Sequence, residues 1–509
     1  MAKKPTICGI DLGTTNSLVA YVDPAGRPLS IASFTGEILT PSMVYFEGNS
    51  YVVGEQAKKA AQDAPERFAE CFKRAMGDDW FPEPIDGRRF RPEVLSALVL
   101  KRLQMEASRH LGEAQRAVIT VPAYFDECRR RATKNAGTIA GWNVIDLINE
   151  PTAAAIAWAH RAGQIAPTNG QPERILVYDL GGGTFDTTVL EIAHGREYRT
   201  LATEGEVRLG GQDWDEWLQK YLADQFKTKT GVDPLASPRG AFDFMQMSRA
   251  AKHHLSERKN VTVPAMFQGK RAMLEINQDT FEKGTAHLLR RSKDTAQIVL
   301  DEAKLKWSDI DAVLMIGGST RMPMVERMLL TLTGKPPRRD VSADEAVAHG
   351  AAVYAHLMSR PNSPRVINVN SHSYRLACTR QGKSFAHPMI PKNSPLPRLS
   401  GISIPTTRAG MDTIFVNILE GESEDVKMCY HIGRVRIDGL PKDTDKRWIV
   451  ALSLRCLEDG KISVSAAVKD PDNPKQTLRE ANATLESQHG MNTAEIVEAQ
   501  RYVNSLEVG

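Results

Sequence analysis

One device occurs twice in this chain, far apart, and constrains the fold more than any other feature. Tyr178-Asp-Leu-Gly-Gly-Gly-Thr-Phe-Asp186 follows the apolar run Ile175–Val177 and leads into Thr187–Ile192. Both flanks read as β-strands. Near the N-terminus Ile7–Ile10 runs into Asp11-Leu-Gly-Thr-Thr-Asn-Ser17 and then Leu18–Val22. Glycines between two strands predict a turn that takes positive φ and is bare of side chains on one side. The exposed N–H groups of such a turn form a concavity for anions, phosphates above all. Asp179 and Asp186 flank it, which suits a magnesium ion held through water beside a nucleotide. Singly, each stretch reads equally well as a glycine-rich hairpin with solvated aspartates. As a pair they describe two hairpins facing across a cleft and gripping one polyphosphate.

A third cluster fits the same plan. Val313–Ile316 feeds Gly317-Gly-Ser-Thr-Arg321, and Pro323 opens a predicted helix, Met324–Thr331. A strand passing through glycines into a helix start is a common nucleotide-binding corner.

At these residues the chain resembles the Hsp70 (DnaK-type) chaperones. Thr120–Phe125, Asn149–Ala155, Leu209–Asp215 and Asp344–Val353 carry the likeness further, in the family's order. It is strong over residues 5–357 and weaker beyond. It implies an α/β fold: a two-lobed, actin-like and hexokinase-like ATPase domain followed by a small antiparallel β-sandwich. It also implies ATP/ADP as the nucleotide and Mg2+ as the ion. By the resemblance, Asp11, Asp179 and Glu150 hold hydrated magnesium. Thr14 and Thr15, with Gly13 and Asn16, face Gly181, Gly182, Gly183 and Thr184 across the β- and γ-phosphates. Lys73 matches the lysine that reaches the γ-phosphate, Glu150 orients a metal-bound water, and Asp179 or Thr184 orients the attacking water. Lys252, Ser256, Gly317, Gly318, Ser319, Arg321 and Asp344 complete the nucleotide site. Where the family usually has Glu and Arg, this chain has Arg249 and His253. His253 is then either a ring stacked on adenine opposite Arg321 or, like His254, a plain surface histidine.

The chain has 509 residues, enough for more than one domain. Sixty-five basic residues against 62 acidic leave a net charge of +3, so no global field favours nucleic acid or membrane as a partner. Its six cysteines include no Cys-x-x-Cys pair, which fits reduced thiols. Met1–Lys4 leads straight into a strand, with no apolar leader, and the expected location is cytoplasmic. Between the motifs the patterning predicts a helix around Pro65–Ala75, helices at Pro92–Leu111 and Asp126–Ala140, a mostly helical stretch over 205–300, and two alanine-rich helices. Those two, Thr152–Ala159 and Asp344–Tyr354, resemble the hinge pair on which the lobes rotate.

The domain reading is an ATPase domain at 1–357, a linker at 358–369, a β-sandwich at 370–490 and a short C-terminal helix at 491–509 standing for a truncated lid. Asn368 occupies the place of the aspartate that ends the family's linker. Strands are expected at Ile414–Leu419, Gly433–Ile437, Trp448–Leu457 and Ile462–Val468, with turn signals at Gly421-Glu422, Asp438-Gly439 and Asp459-Gly460. Ile404, Thr407, Ile414 and Val416 fall where the family cradles an extended peptide, held as an added strand. Arg380–Phe385, where the family has its first arch-forming loop, is polar. Asn492 is expected to cap a helix at Thr493–Leu506. The resemblance implies an ATP-hydrolysing chaperone whose partners are unfolded peptide segments, a J-domain co-chaperone and a nucleotide exchange factor. The alternative is a nucleotide-gated, partner-specific binding or scaffold protein with little general folding activity.

Overall fold

The computed structural model of the chain describes residues 6–112, 116–161, 171–193, 197–339, 341–358, 360, 365–441, 447–457, 461–485 and 490–509. Met1–Lys4, the Asp459-Gly460 turn and residues 361–364 of the linker lie outside them.

Two sheets built on one plan form the heart of the N-terminal region. In the first, Ile7–Leu12 lies antiparallel to Asn16–Val22 and parallel to Arg116–Val121. In the second, Glu173–Leu180 lies antiparallel to Phe185–Ala193 and parallel to Ala312–Ile316. The central strands of both sheets are almost wholly buried, as their unbroken apolar runs require. Each sheet anchors its own core, one around Ile10, Val19 and Leu98 and the other around Tyr178, Phe185 and Trp214.

The helices Glu150–Arg161 and Ala346–Leu357 lie between the sheets, and small residues let them pack closely. A β-carbon on Gly350 would stand 1.7 Å from the carbonyl oxygen of Ala153, and one on Gly9 would stand 2.1 Å from the Ala352 nitrogen. The stretch expected as a helix around Pro65–Ala75 is different. It is a 3-10 turn (Pro65–Arg67), a strand (Phe68–Glu70) paired with Met43–Tyr45, and a second 3-10 turn (Phe72–Ala75). Pairing with a neighbouring strand has overridden local helix preference there. Over 205–300 four helices surround one hairpin, Asn260–Phe267 with Lys270–Asn277.

The C-terminal region is two four-stranded sheets facing one core of Ile418, Leu454, Val464 and their neighbours. Gln381 and Gly382, both at positive φ, make the two-residue turn between Tyr374–Arg380 and Lys383–Ile390. The sandwich contacts the ATPase lobes. Arg365–Ile367 adds a parallel strand beside Glu197–Arg199. Ser371 Oγ donates to the carbonyl of Phe125 at 3.2 Å, His372 meets the Tyr124 ring edge-on at 4.5 Å, and Lys392 pairs with Glu204 and Glu302. Asn368 Oδ1 accepts from Asn149 Nδ2 at 3.5 Å, bringing the linker to the residue before Glu150.

The last helix, Thr493–Ser505, is capped by Asn492, whose Oδ1 accepts from the Glu495 N–H at 3.0 Å while Glu495 Oε2 accepts from the Asn492 N–H at 2.7 Å. It packs on the first lobe. Ala499, Val503 and Leu506 join the core that holds Tyr51, Phe90 and Leu103. Glu507–Val508 then adds a parallel strand beside Ser50–Tyr51.

Candidate functional site

The two Asp-Leu-Gly hairpins project from the facing ends of the two sheets and meet. A β-carbon on Gly182 would lie 1.7 Å from Thr15 Oγ1, and one on Gly183 would lie 2.3 Å from Thr14 Cγ2. These glycines are therefore required by close approach of the opposite lobe. The expectation of positive φ is corrected: neither Gly13 nor any of Gly181, Gly182 and Gly183 is in that region. Gly210 and Gly211 lie beneath the second hairpin, with Gly211 N and Gln212 N donating to the carbonyls of Gly181 and Gly182 at 2.9 and 2.8 Å.

Around the junction opens a cavity of about 960 Å³, ample for a nucleotide. Every residue expected at the nucleotide site lies on its wall except Gly183, which packs behind it against Thr14. Its floor is carboxylate-rich. Asp11, Glu150 and Asp179 line it, Glu150 and Asp179 buried and Asp11 half-buried; Asp186 is buried off the wall, and the ammonium set among them is Lys73, whose Nζ is 2.7 Å from Glu150 Oε1. Thr120 Oγ1 donates to Asp11 Oδ1 at 3.2 Å, and the Tyr124 N–H donates to Asp186 Oδ1 at 3.1 Å.

Burial, and next the charge of Glu150, push the Asp11 and Asp186 carboxyls up to about 7. Asp179 is raised well above the ordinary carboxylate value by burial, then by Glu150, Asp186 and Asp11. Asp11 and Asp179 come from different lobes and both line this one cavity. Burial works against the Lys73 ammonium, but Glu150 and then Asp11 outweigh it and its pKa is raised. Among the described residues no three His, Cys, Asp or Glu side chains converge closely enough to hold a metal ion directly. Four carboxylates against one lysine nevertheless leave a deficit of positive charge, which suits a hydrated divalent cation.

The side of the cavity expected to take the nucleoside is built around Gly317. Its φ of 81° and the 2.4 Å from its would-be β-carbon to the Leu180 carbonyl oxygen admit no side chain. Ser319 Oγ donates to the Gly181 carbonyl at 2.8 Å, and Arg321 forks onto Asp344 at 2.6 and 3.3 Å. Lys252 is held by Asp215 at 2.7 Å and by the Gly211 carbonyl at 2.9 Å. Arg249, also on the wall, is bidentate on Glu70 and lies 3.7 Å from Asp215. His253 is on the cavity wall beside Ser256, and His254 is not.

In the sandwich, Ile404 is half-buried on the strand Arg398–Pro405 and Thr407 is exposed just beyond it. Ile414 and Val416 are buried in the sandwich core. Sequence reasoning set Asp186 with Asp179 beside the expected magnesium ion, and it missed Glu70, Arg74, Asp213 and Asp215. For Arg74 and Glu70 the available signal was adjacency to Lys73. Nothing local pointed to Asp213 and Asp215 as partners of distant cations.

The comparisons agree with this geometry. A family model described as Hsp70 protein matches residues 7–505. The chain is similar to the protein named Chaperone protein DnaK in Metamycoplasma hominis, 34% identical over 500 residues, covering 97% of this chain and 81% of that one. Proteins of the same name in Thermotoga petrophila and Thermosipho africanus are each 35% identical, over 90% of this chain and 80% and 79% of theirs. Among the described residues no helix is long and apolar enough to cross a membrane.

Proposed function

Because the chain belongs to the Hsp70 family, and is thereby an ATP-dependent chaperone and an ATP hydrolase, we propose that its residues divide the work as follows. Thr14, Thr15 and Gly181–Thr184 hold the β- and γ-phosphates between the lobes, with Gly13 and Asn16 shaping the first loop. Lys73 neutralises charge gathering on the transferred phosphoryl oxygens. Asp179 or Thr184 orients the attacking water. The observation that supports this assignment is the contact of Thr15 with Gly182 on the wall of the same cavity as Asp11, Asp179, Glu150 and Lys73.

Asp11, Asp179 and Glu150, with Asp186 beside them, would hold Mg2+ through its waters. When bound, the ion offsets the negative charge that the carboxylates and phosphates bring together. No covalent intermediate is called for; positioning and electrostatics suffice. Lys252, Ser256, Arg321 and the Gly317–Ser319 corner hold the nucleoside, with His253 at its edge.

Peptide would lie along the sandwich near Ile404 and Thr407, over the wall that Ile414 and Val416 support. The contacts of Ser371, His372, Lys392 and the Arg365–Ile367 strand with the ATPase lobes give lobe rotation a route to that site. A J-domain protein and an exchange factor complete the cycle, in the cytoplasm. The test is the affinity for an unfolded peptide with ATP and with ADP. Binding at least about tenfold weaker in ATP is expected; equal affinities would break the link between nucleotide and peptide.

A further inference from the structure

The turn that carries Lys73 is tied to the opposite lobe on both sides. It is the 3-10 turn Phe72–Ala75, which follows the strand Phe68–Glu70, and both pack in the first lobe. Before Lys73 stands Glu70. Arg249, on the second lobe's helix Pro238–Glu257, donates Nη1 and Nη2 to its two carboxylate oxygens at 2.7 Å each. After Lys73 stands Arg74, which donates Nε to the Gly183 carbonyl at 2.8 Å and Nη2 to Asp213 Oδ2 at 2.5 Å. Asp213 Oδ2 also accepts from the Gly210 N–H at 2.8 Å, so Arg74 grips the loop beneath the phosphate hairpin as well as the hairpin itself.

Both guanidinium groups are shielded, with side chains 18% and 15% exposed. Forked, charge-assisted pairs of this kind combine strength with a fixed geometry. The Phe68 ring also meets Phe242 of the second lobe edge-on at 5.6 Å. Glu70 and Arg74 themselves stand off the cavity wall, whereas Lys73 and Arg249 are on it.

On the reading of Lys73 given above, we infer that Glu70 and Arg74 are positioning residues for phosphoryl transfer. They fix the Lys73 turn relative to Gly181–Gly183 only when the lobes are closed. A lobe rotation that parts Glu70 from Arg249 and Arg74 from Asp213 carries the ammonium away from the phosphates. Hydrolysis then stops before nucleotide is lost. Displacement of a catalytic group by about 1 Å is enough to slow a reaction on the order of a hundredfold, so partial opening is an effective off state.

Single-turnover hydrolysis of preloaded ATP tests this, using Glu70→Arg, Arg249→Glu and the double exchange. Glu70→Arg, off the cavity wall, is expected to hydrolyse about tenfold more slowly with ATP affinity held within about threefold. Arg249→Glu, which lies on the wall and also loses its 3.7 Å approach to Asp215, is expected to weaken ATP binding as well as slow hydrolysis, and the double exchange to hydrolyse about threefold or more faster than Arg249→Glu alone. A merely structural pair would not split rate from affinity as Glu70→Arg should. Arg74→Lys, which keeps charge but loses the fork, is expected to slow hydrolysis by a similar factor and decides the matter if a swap variant melts early. A parental rate in Glu70→Arg, or a double exchange that melts like the parent yet hydrolyses no faster than Arg249→Glu, would overturn the inference. Lys73→Ala is run alongside. If it hydrolyses normally, the role of Lys73 fails and this inference with it. If it is inactive while the swaps and Arg74→Lys are silent, only the positioning role falls.

Discussion

Thr15 of the first lobe and Gly182 of the second touch so closely that no β-carbon fits between them, since one built on Gly182 would stand 1.7 Å from Thr15 Oγ1. Two hairpins far apart in the chain thus form one wall. On the proposed assignment, a nucleotide tail held by one hairpin is held by both, so lobe closure should accompany phosphate binding.

Gly182→Ala should therefore force the lobes apart. Overpacking at such a contact costs about 1–3 kcal/mol, and ATP affinity should fall with it. Adding Thr15→Gly should recover much of the lost thermal midpoint, because Thr15 Cβ and Oγ1 are the nearest obstructing atoms. Calorimetric melts and ATP titrations of the three proteins check this. Unchanged affinity in Gly182→Ala would mean that the hairpins act separately.

How much of this was legible beforehand follows the range of the interactions. The phosphate hairpins are local, strand to strand across a few residues, and their strands lie where the apolar runs placed them. The Pro65–Ala75 helix was misread because Phe68–Glu70 pairs with Met43–Tyr45, a partner invisible to local pattern. The conformation of Gly181–Gly183 was misread for a related reason. What demands glycine there is Thr14 and Thr15, far away along the chain but adjacent in space. The C-terminal helix and its Asn492 cap were readable, but the surface it packs on was not, since that depends on Tyr51, Phe90 and Leu103.

Protons should move when nucleotide binds. Asp11 and Asp186 have folded values near 7 against an ordinary 3.8. A raised folded value means that the folded chain holds more protons between those limits. The stability these two groups contribute is complete below 3.8 and is lost as pH rises towards about 7. Mg·ADP brings positive charge to the carboxylates and should release protons at neutral pH, whereas metal-free ADP brings only negative charge and should take protons up. Titration calorimetry in two buffers of different ionisation enthalpy reads the difference. Identical heats in both buffers would contradict the burial of these groups at the site.

The C-terminal helix should behave as part of the first lobe. Val503 is fully buried in that lobe's core and Glu507–Val508 pairs with its sheet edge. Val503→Asp should lower the stability of the ATPase region by about 3 kcal/mol or more, as an unpaired charge in an apolar core does. An unaltered melt of that region would show that the helix rests elsewhere in solution.

The most direct test is the single-turnover rate of ATP hydrolysis by Lys73→Ala, measured beside its ATP affinity. Lys73 is a buried ammonium set against Asp11, Glu150 and Asp179. Its removal should cut the rate by on the order of a hundredfold or more while ATP still binds. Hydrolysis at close to the parental rate would contradict the account of the cleft.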